Sequence, residues 1–139
     1  MKILLDTNVI LDFFLSREPG YSNARHIFTM VYQDTVEAFT TASSITDMYY
    51  ITAKKLGDEA ARKAIRQLLK IMGIIAVEGE DCLNALDFPI PDYEDALVSI
   101  CANKEDIKYI VTNDKVFLQT DPHGERIINA YDFVSNFGH

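Results

Sequence analysis

The sequence predicts an α/β domain in which a parallel sheet of four or five strands is covered by helices on both faces. Three observations predict it. Short apolar runs alternate along the chain with longer segments of helical periodicity, the pattern of strands joined by helical crossovers. Most of those runs are continuously apolar, as strands buried on both sides are. The length of 139 residues suits one domain, and area scaling gives a folded surface of roughly 7,300 Å² from roughly 23,000 Å² unfolded, which leaves a real core.

Taken in order, Lys2 to Leu5 is a β-prone run that stops at Asp6-Thr7-Asn8, residues suited to a turn and a helix N-cap. Val9, Ile10, Phe13 and Phe14 then fall on one helical face. A second helix is expected from Pro19 to Tyr32, with Ala24, Ile27, Phe28 and Val31 at helical spacing and Pro19 in the first turn. Val36 to Ala42 reads as a strand. Ser43-Ser44 open a helix through Met48, Ile51, Thr52 and Leu56 that Gly57 closes, and Asp58 begins another that ends near Met72, before Gly73. Ile74 to Val77 is a third strand, followed by an amphipathic stretch with Cys82, Leu83 and Leu86. Pro89 and Pro91 punctuate a connection into Asp92, which heads a helix carrying Ala96, Leu97, Ile100 and Cys101. Tyr109 to Thr112 is the fourth strand, Asn113 to Leu118 a short helix or turn, Arg126 to Asn129 a last short strand, and Asp132 to Phe137 a closing helix.

Composition narrows the function classes. A chain that is 48% apolar and 24% charged, with six Gly and four Pro, is neither disordered nor low-complexity. Cys82 and Cys101 have no C-x-x-C spacing, and with His26, His123 and His139 scattered they form no zinc pattern; reduced thiols are expected. Met1-Lys2-Ile3-Leu4-Leu5 starts like a secretory signal, but Asp6 and Asp12 interrupt the apolar run, so a cytoplasmic protein with no membrane association is expected. The net charge of -8 would repel nucleic acid if it were spread evenly. It is not: six basic residues lie between Lys54 and Lys70 against only Asp58 and Glu59. Arg62, Lys63, Arg66 and Lys70 share one helical face, a candidate surface for an RNA backbone or else a solvated helix face.

The carboxylates carry the chemistry. In an open parallel sheet the ligand crevice lies beyond the carboxyl ends of the strands, where strand order reverses. Asp6 ends the first strand, Asp47 follows the second by one helical turn, Asp92 and Asp95 open the helix before the fourth, and Asp114 comes two residues past Thr112. Asp92 and Asp95 share a helical face, with Glu94 expected to turn away. Each acid also has a structural reading: Ser44-x-x-Asp47 fits a capping box, and Asp92 fits an N-cap with Asp95 at its third position. Asp6 is the hardest to explain structurally, because a carboxylate at the end of a buried strand is costly without a partner. Clustered carboxylates repel unless a cation joins them, and an all-oxygen donor set suits Mg²⁺ or Mn²⁺. The chemistry this implies is metal-assisted phosphodiester hydrolysis.

Asp6-Thr7-Asn8-Val9-Ile10-Leu11-Asp12, Ser43-Ser44-Ile45-Thr46-Asp47, Asp92-Tyr93-Glu94-Asp95-Ala96 and Val111-Thr112-Asn113-Asp114, in that order, resemble the signature of the PIN-domain family, over essentially the whole chain. Similarity to its bacterial VapC-type toxins implies a three-layer α/β/α fold, a divalent metal in an acidic pocket, ribonuclease activity on single strands, homodimerisation and an antitoxin partner. By position, the resemblance makes Asp6, Asp47, Asp95 and Asp114 the site acids, with Asp92 in reserve as a metal ligand and Asn8 and Thr112 in support. Two positions depart from the pattern. Asp47 stands where Glu is more usual and reaches one methylene less far, so it meets a metal only through water. Val116 stands where many relatives have another Asp. The reading that follows is a Mg²⁺- or Mn²⁺-dependent endoribonuclease, the toxin of a toxin–antitoxin pair; the alternative is a PIN-like module that holds RNA or a protein without turnover.

Other readings fit less well. Aspartyl-phosphate phosphatases need a second acid two residues after the first, where this chain has Asn8. Receiver domains want a Lys near Thr112, and no Gly-rich nucleotide loop is present. Tyr49 and Tyr50 are expected in core or interface, with base stacking as the functional option. A partner protein would need exposed apolar surface, for which the segments around Ile27, Phe28 and Tyr49 to Ile51 are the first candidates. His26 and His123 read as surface or hydrogen-bonded histidines with no part in catalysis.

Overall fold

A computed structural model describes residues 1–139. The elements are β1 (Lys2–Leu5), α1 (Thr7–Phe14), α2 (Tyr21–Tyr32), β2 (Glu37–Thr41), α3 (Ala42–Leu56), α4 (Asp58–Ile71), β3 (Gly73–Ile75), α5 (Gly79–Ala85), α6 (Tyr93–Asn103), β4 (Tyr109–Val111), α7 (Lys115–Gln119), β5 (Ile127–Ile128) and α8 (Ala130–Phe137). The five strands form one sheet in the order β3-β2-β1-β4-β5, and every pairing is parallel. The sheet is thus wholly parallel, with β1 at its centre. Its accessible surface of 7768 Å² is near the expectation from length.

The side-chain alternation of β1 separates the two faces. Ile3 and Leu5 enter a core with Val9 and Ile10 of α1, Ala24, Ile27 and Phe28 of α2, Met48 of α3, Leu68 of α4 and Phe133 of α8. Leu4 points the other way, into a core with Phe39, Ile75, Val98, Cys101, Ile110 and Phe117. Helices on both faces complete the three layers. Two expectations about particular residues fail here. Ile27 and Phe28, expected near a partner surface, are buried in the first core because α2 packs on α1 and α8. Pro19 lies in the turn before α2, whose N-cap is Gly20.

Gly73 opens β3 with no side chain because Phe39 of β2 leans across it: a Cβ there would stand 2.6 Å from two ring carbons. The strand stops at Ile75, short of the expected Val77. A second buried element ties this end together. Asp81 in α5 accepts from Lys104 Nζ at 2.6 Å and from the Glu78 backbone N–H at 2.9 Å, and Lys104 also donates to the Ala76 carbonyl at 2.8 Å. No helix is long and apolar enough to cross a membrane.

Candidate active site

Because β4 lies beside β1 while β2 lies on its other side, strand order reverses at β1. Ligands of open α/β sheets bind beyond the strand ends at such a point. The Asp6 backbone N–H donates to the Val111 carbonyl at 3.0 Å, bringing the ends of β1 and β4 together. Asp6 then caps α1. Its Oδ1 accepts from the Thr7 N–H at 2.9 Å, and its Oδ2 accepts from Thr112 Oγ1 at 2.8 Å and Asn8 Nδ2 at 3.2 Å. Asn8 Nδ2 also donates to Thr112 Oγ1 at 3.0 Å, and the Asp114 N–H donates to the same oxygen at 3.1 Å.

Asn113 locks this cluster from behind. Its backbone N–H donates to Asn8 Oδ1 at 2.9 Å, its Nδ2 donates to Asp12 Oδ2 at 3.3 Å, and its Oδ1 accepts from the Ala130 N–H at 3.1 Å. Asp12 is held in turn by Arg17 Nε at 2.9 Å, and the Arg17 guanidinium reaches the Asn8 carbonyl at 3.3 Å. Gly20 fits only because it lacks a side chain, since a Cβ would stand 2.0 Å from the pinned Asp12 Oδ2.

The remaining acids come from helix starts. Asp92 caps α6, its Oδ1 accepting from the Asp95 N–H at 3.0 Å, and Asp114 caps α7, its Oδ1 accepting from the Val116 N–H at 2.9 Å. Capping and clustering coexist, so the two readings of these acids do not compete. Asp95 differs. It is 7% exposed, and its Oδ2 is buried with no hydrogen-bond partner. Burial, followed by the charges of Asp92, Asp6, Asp114 and Glu94, pushes its pKa up to about 7. Burial also raises Asp6, against the hydrogen bonds from Thr112, Thr7 and Asn8 that lower it, and Asp114 adds to the rise.

Glu94 does not turn away as the spacing suggested. Its carboxyl is raised by burial and by the charges of Asp47, Asp6, Asp92 and Asp114, in that order, so it belongs to the acidic edge. The reason is tertiary: Asp47, Asp6 and Asp114 are brought beside it by other elements, which the periodicity of α6 alone does not report. Asp47 is exposed and lies outermost, felt by Glu94 but not among the charges acting on Asp95. The Ser44–Asp47 capping box does not form; α3 starts at Ala42, and Ser44 Oγ instead bonds Thr41 Oγ1 at 2.8 Å. Val116 is exposed in the first turn of α7. Asn113, Asp12 and Arg17 are the site residues to which the spacing argument gave no role; the signal for the first two was a polar side chain inside the fourth and the first motif segment.

The basic residues Arg62, Lys63, Arg66 and Lys70 are exposed along α4. Arg62 bonds Asp58 through Nε at 3.0 Å, and the others form no ion pair. His26 Nε2 lies 2.9 Å from the Gly138 carbonyl, a satisfied surface contact. Surface hollows of about 200 Å³ between α1, α2 and α4 and about 420 Å³ between α3 and α4 contain none of the acids. Asp47, Asp92, Glu94 and Asp114 are exposed, whereas Asp6 and Asp95 are buried behind them.

Comparison with known proteins agrees with this geometry. Residues 2–116 match the family model of the PIN domain. Ribonuclease VapC1 of Aquifex aeolicus (strain VF5) is 29% identical over 125 residues, 86% of each chain. Among solved structures, VapC20 of Mycobacterium tuberculosis, a toxin that cleaves the sarcin-ricin loop, superposes with a TM-score of 0.69 at 13% identity, over 86% of this chain and 95% of that one. VapBC2 of Rickettsia felis, bound to a DNA fragment from its promoter, gives 0.68 at 16% identity, over 93% and 98%. The structural likenesses show a shared fold, and the family match spans every acid from Asp6 to Asp114, so this chain belongs to the PIN domain family.

Proposed function

We propose that this protein is a divalent-metal-dependent endoribonuclease that hydrolyses phosphodiester bonds in RNA, acting as the toxin of a toxin–antitoxin pair in the cytoplasm. One observation carries the proposal: the buried, unpartnered Oδ2 of Asp95 among the charges of Asp6, Asp92, Asp114 and Glu94. A fold does not keep an unsatisfied carboxylate beside like charges for its own stability. A cation satisfies it. The relatives' names, a ribonuclease and toxins of VapBC pairs, support the substrate and the antitoxin partner.

The donor set fits Mg²⁺ or Mn²⁺, since it is all oxygen. No three acidic, histidine or cysteine side chains are grouped to enclose an ion, which suits a cation held by one or two carboxylates that keeps several waters. Asp95 with Asp6 would hold it, and Asp114, Asp92 and Asp47 would act through its waters. Bound there, the ion would offset charge on the scissile phosphate and lower the pKa of water. Thr112, Asn8 and the Thr7 N–H fix the Asp6 carboxylate so that it does not rotate as charge develops. Asp95 must be deprotonated to serve as a ligand, and with its pKa near 7 metal affinity should climb through neutral pH.

The test is cleavage of single-stranded and structured RNA by the purified, partner-free protein in Mg²⁺ and then Mn²⁺. Cleavage lost in Asp6→Asn and Asp95→Asn is the expected result. Absence of cleavage in both metals would leave the non-catalytic binding module, which the outlying position of Asp47 favours. A homodimer is part of the proposal and is read by sedimentation.

A further inference from the structure

Beside Asp47, helices α3 and α4 enclose a groove of about 420 Å³ lined by Ile45, Thr46, Tyr49, Tyr50, Arg62, Ile65, Arg66 and Leu69. Three properties separate it from an ordinary surface hollow. Its aromatic side chains are presented outward: Tyr50 is 66% exposed, packed edge-on to Tyr49 with ring centroids 5.2 Å apart. The Arg62 guanidinium stands over the Tyr49 ring at 5.3 Å, an arrangement that holds both groups in place. Arg66 has no acidic partner. In a protein of net charge -8, this is where unpaired positive charge and exposed aromatic surface coincide.

We infer that this groove is a nucleobase-binding subsite for single-stranded RNA, with Tyr50 as the stacking platform and Arg66 as the contact to the adjoining phosphate. The inference rests on the ribonuclease reading and adds the place outside the acids where a base of the substrate is held. Position supports it. Tyr50 lies three residues beyond Asp47, hence on a neighbouring part of the same helix surface and about 4.5 Å further along the axis. The groove thus continues along α3 from the outermost acid. Stacking on an aromatic ring needs an unpaired base, since bases in a duplex have no free face. Charge complementarity favours RNA over a second copy of this acidic chain, because the groove is rimmed by arginines and Lys63 and Lys70 extend the same helix.

Binding is measured by fluorescence anisotropy of a labelled single-stranded RNA and of the matching duplex, using Asp95→Asn without metal so that no cleavage intervenes. Tyr50→Ala in that background should weaken single-strand binding roughly fivefold to a hundredfold, the span seen for one stacked base, and leave duplex binding unchanged. Tyr50→Trp should restore it, and Arg66→Ala should lower affinity with a shallower salt dependence. Tyr131, also 66% exposed but on α8, provides the control: Tyr131→Ala should change nothing. If the wild type cleaves RNA in metal but Tyr50→Ala and Arg66→Ala bind as tightly as their parent, the groove is not a base site and the ribonuclease reading survives. If the wild type neither cleaves nor binds RNA, both fall. If Tyr50→Ala instead dissociates a dimer in sedimentation while RNA affinity is unchanged, the groove belongs to a second copy and the inference is overturned.

Discussion

Two buried aspartates near the start of neighbouring helices have opposite fates. Asp81 in α5 is 6% exposed and Asp95 in α6 is 7% exposed. Asp81 receives the Lys104 ammonium and the Glu78 N–H, and the Lys104 hydrogen bond leads the causes that hold its carboxyl below the ordinary range. Asp95 receives nothing on Oδ2, and burial first, then the charges of four acids, pushes its pKa up to about 7. Burial alone therefore does not set a carboxylate's state. The surrounding partners do, and where the fold withholds them it leaves a vacancy suited to a ligand.

The sharpest way to break this comparison is Asp95→Asn. RNA cleavage should fall by roughly a hundredfold or more, as when one preorganised electrostatic group is removed, while the metal-free melting temperature at pH 8 should rise. Mg²⁺ at a hundred times its Kd should stabilise the wild type by about 2.7 kcal/mol and the variant far less. Differential scanning fluorimetry with and without Mg²⁺ reads both effects; a variant that melts lower and still responds to Mg²⁺ would equate Asp95 with Asp81.

The supporting shell comes next. Asn113→Ala removes the bond to Asp12 and leaves the Ala130 N–H without its acceptor, so stability should drop by about 2 kcal/mol, measured by urea denaturation, with cleavage reduced alongside it. The pH dependence separates the two aspartates by sign. Asp95 has a raised folded pKa, so its contribution is fully present below the unfolded carboxylate range and is lost as pH rises towards 7. Asp81 has a lowered one, so its contribution is present above that range and is lost on acidification. Metal-free melting curves should accordingly lose their neutral-range slope in Asp95→Asn and part of their acid-range slope in Asp81→Asn. The smallest effect is expected at the outlying acid: Asp47→Asn should reduce kcat less than Asp95→Asn does, in a side-by-side cleavage assay.

Much of this was legible in the residues. Alternation of apolar runs with helical segments predicted the parallel sheet, and β4 and α6 appear where Tyr109 to Thr112 and Asp92 placed them, because an apolar strand and an N-cap are local signals. Asp6, Asp95 and Asp114 lie within reach of one another's charge because strand ends and helix starts gather at the switch point. Glu94 was misread because the spacing within α6 does not show which acids other elements bring beside it, and Ile27 and Phe28 because apolar spacing does not say which neighbour covers a face. Asn113 escaped notice since its three partners lie 17 to 105 residues away, a contact set that only the assembled sheet creates.

The Thr112 hydroxyl has a directional consequence. Asn8 is oriented by the Asn113 N–H, which occupies its Oδ1 and leaves its amino group as the donor. Thr112 Oγ1 thus receives two incoming protons, from Asn8 and from the Asp114 backbone, and its own single proton has only Asp6 Oδ2 as its destination. The relay runs one way, from the chain ends of β4 into the carboxylate of β1. An amide at position 6 would have to face this stream either with its own amino group opposed to two donors or with that group turned on the Thr7 N–H. Asp6→Asn is consequently not a silent deletion of charge: it opposes the donors on Oδ2, so that Thr112 and Asn8 must reorient, or it opposes the Thr7 N–H on Oδ1. Asp95, with no such wiring, is the position where charge alone can be subtracted.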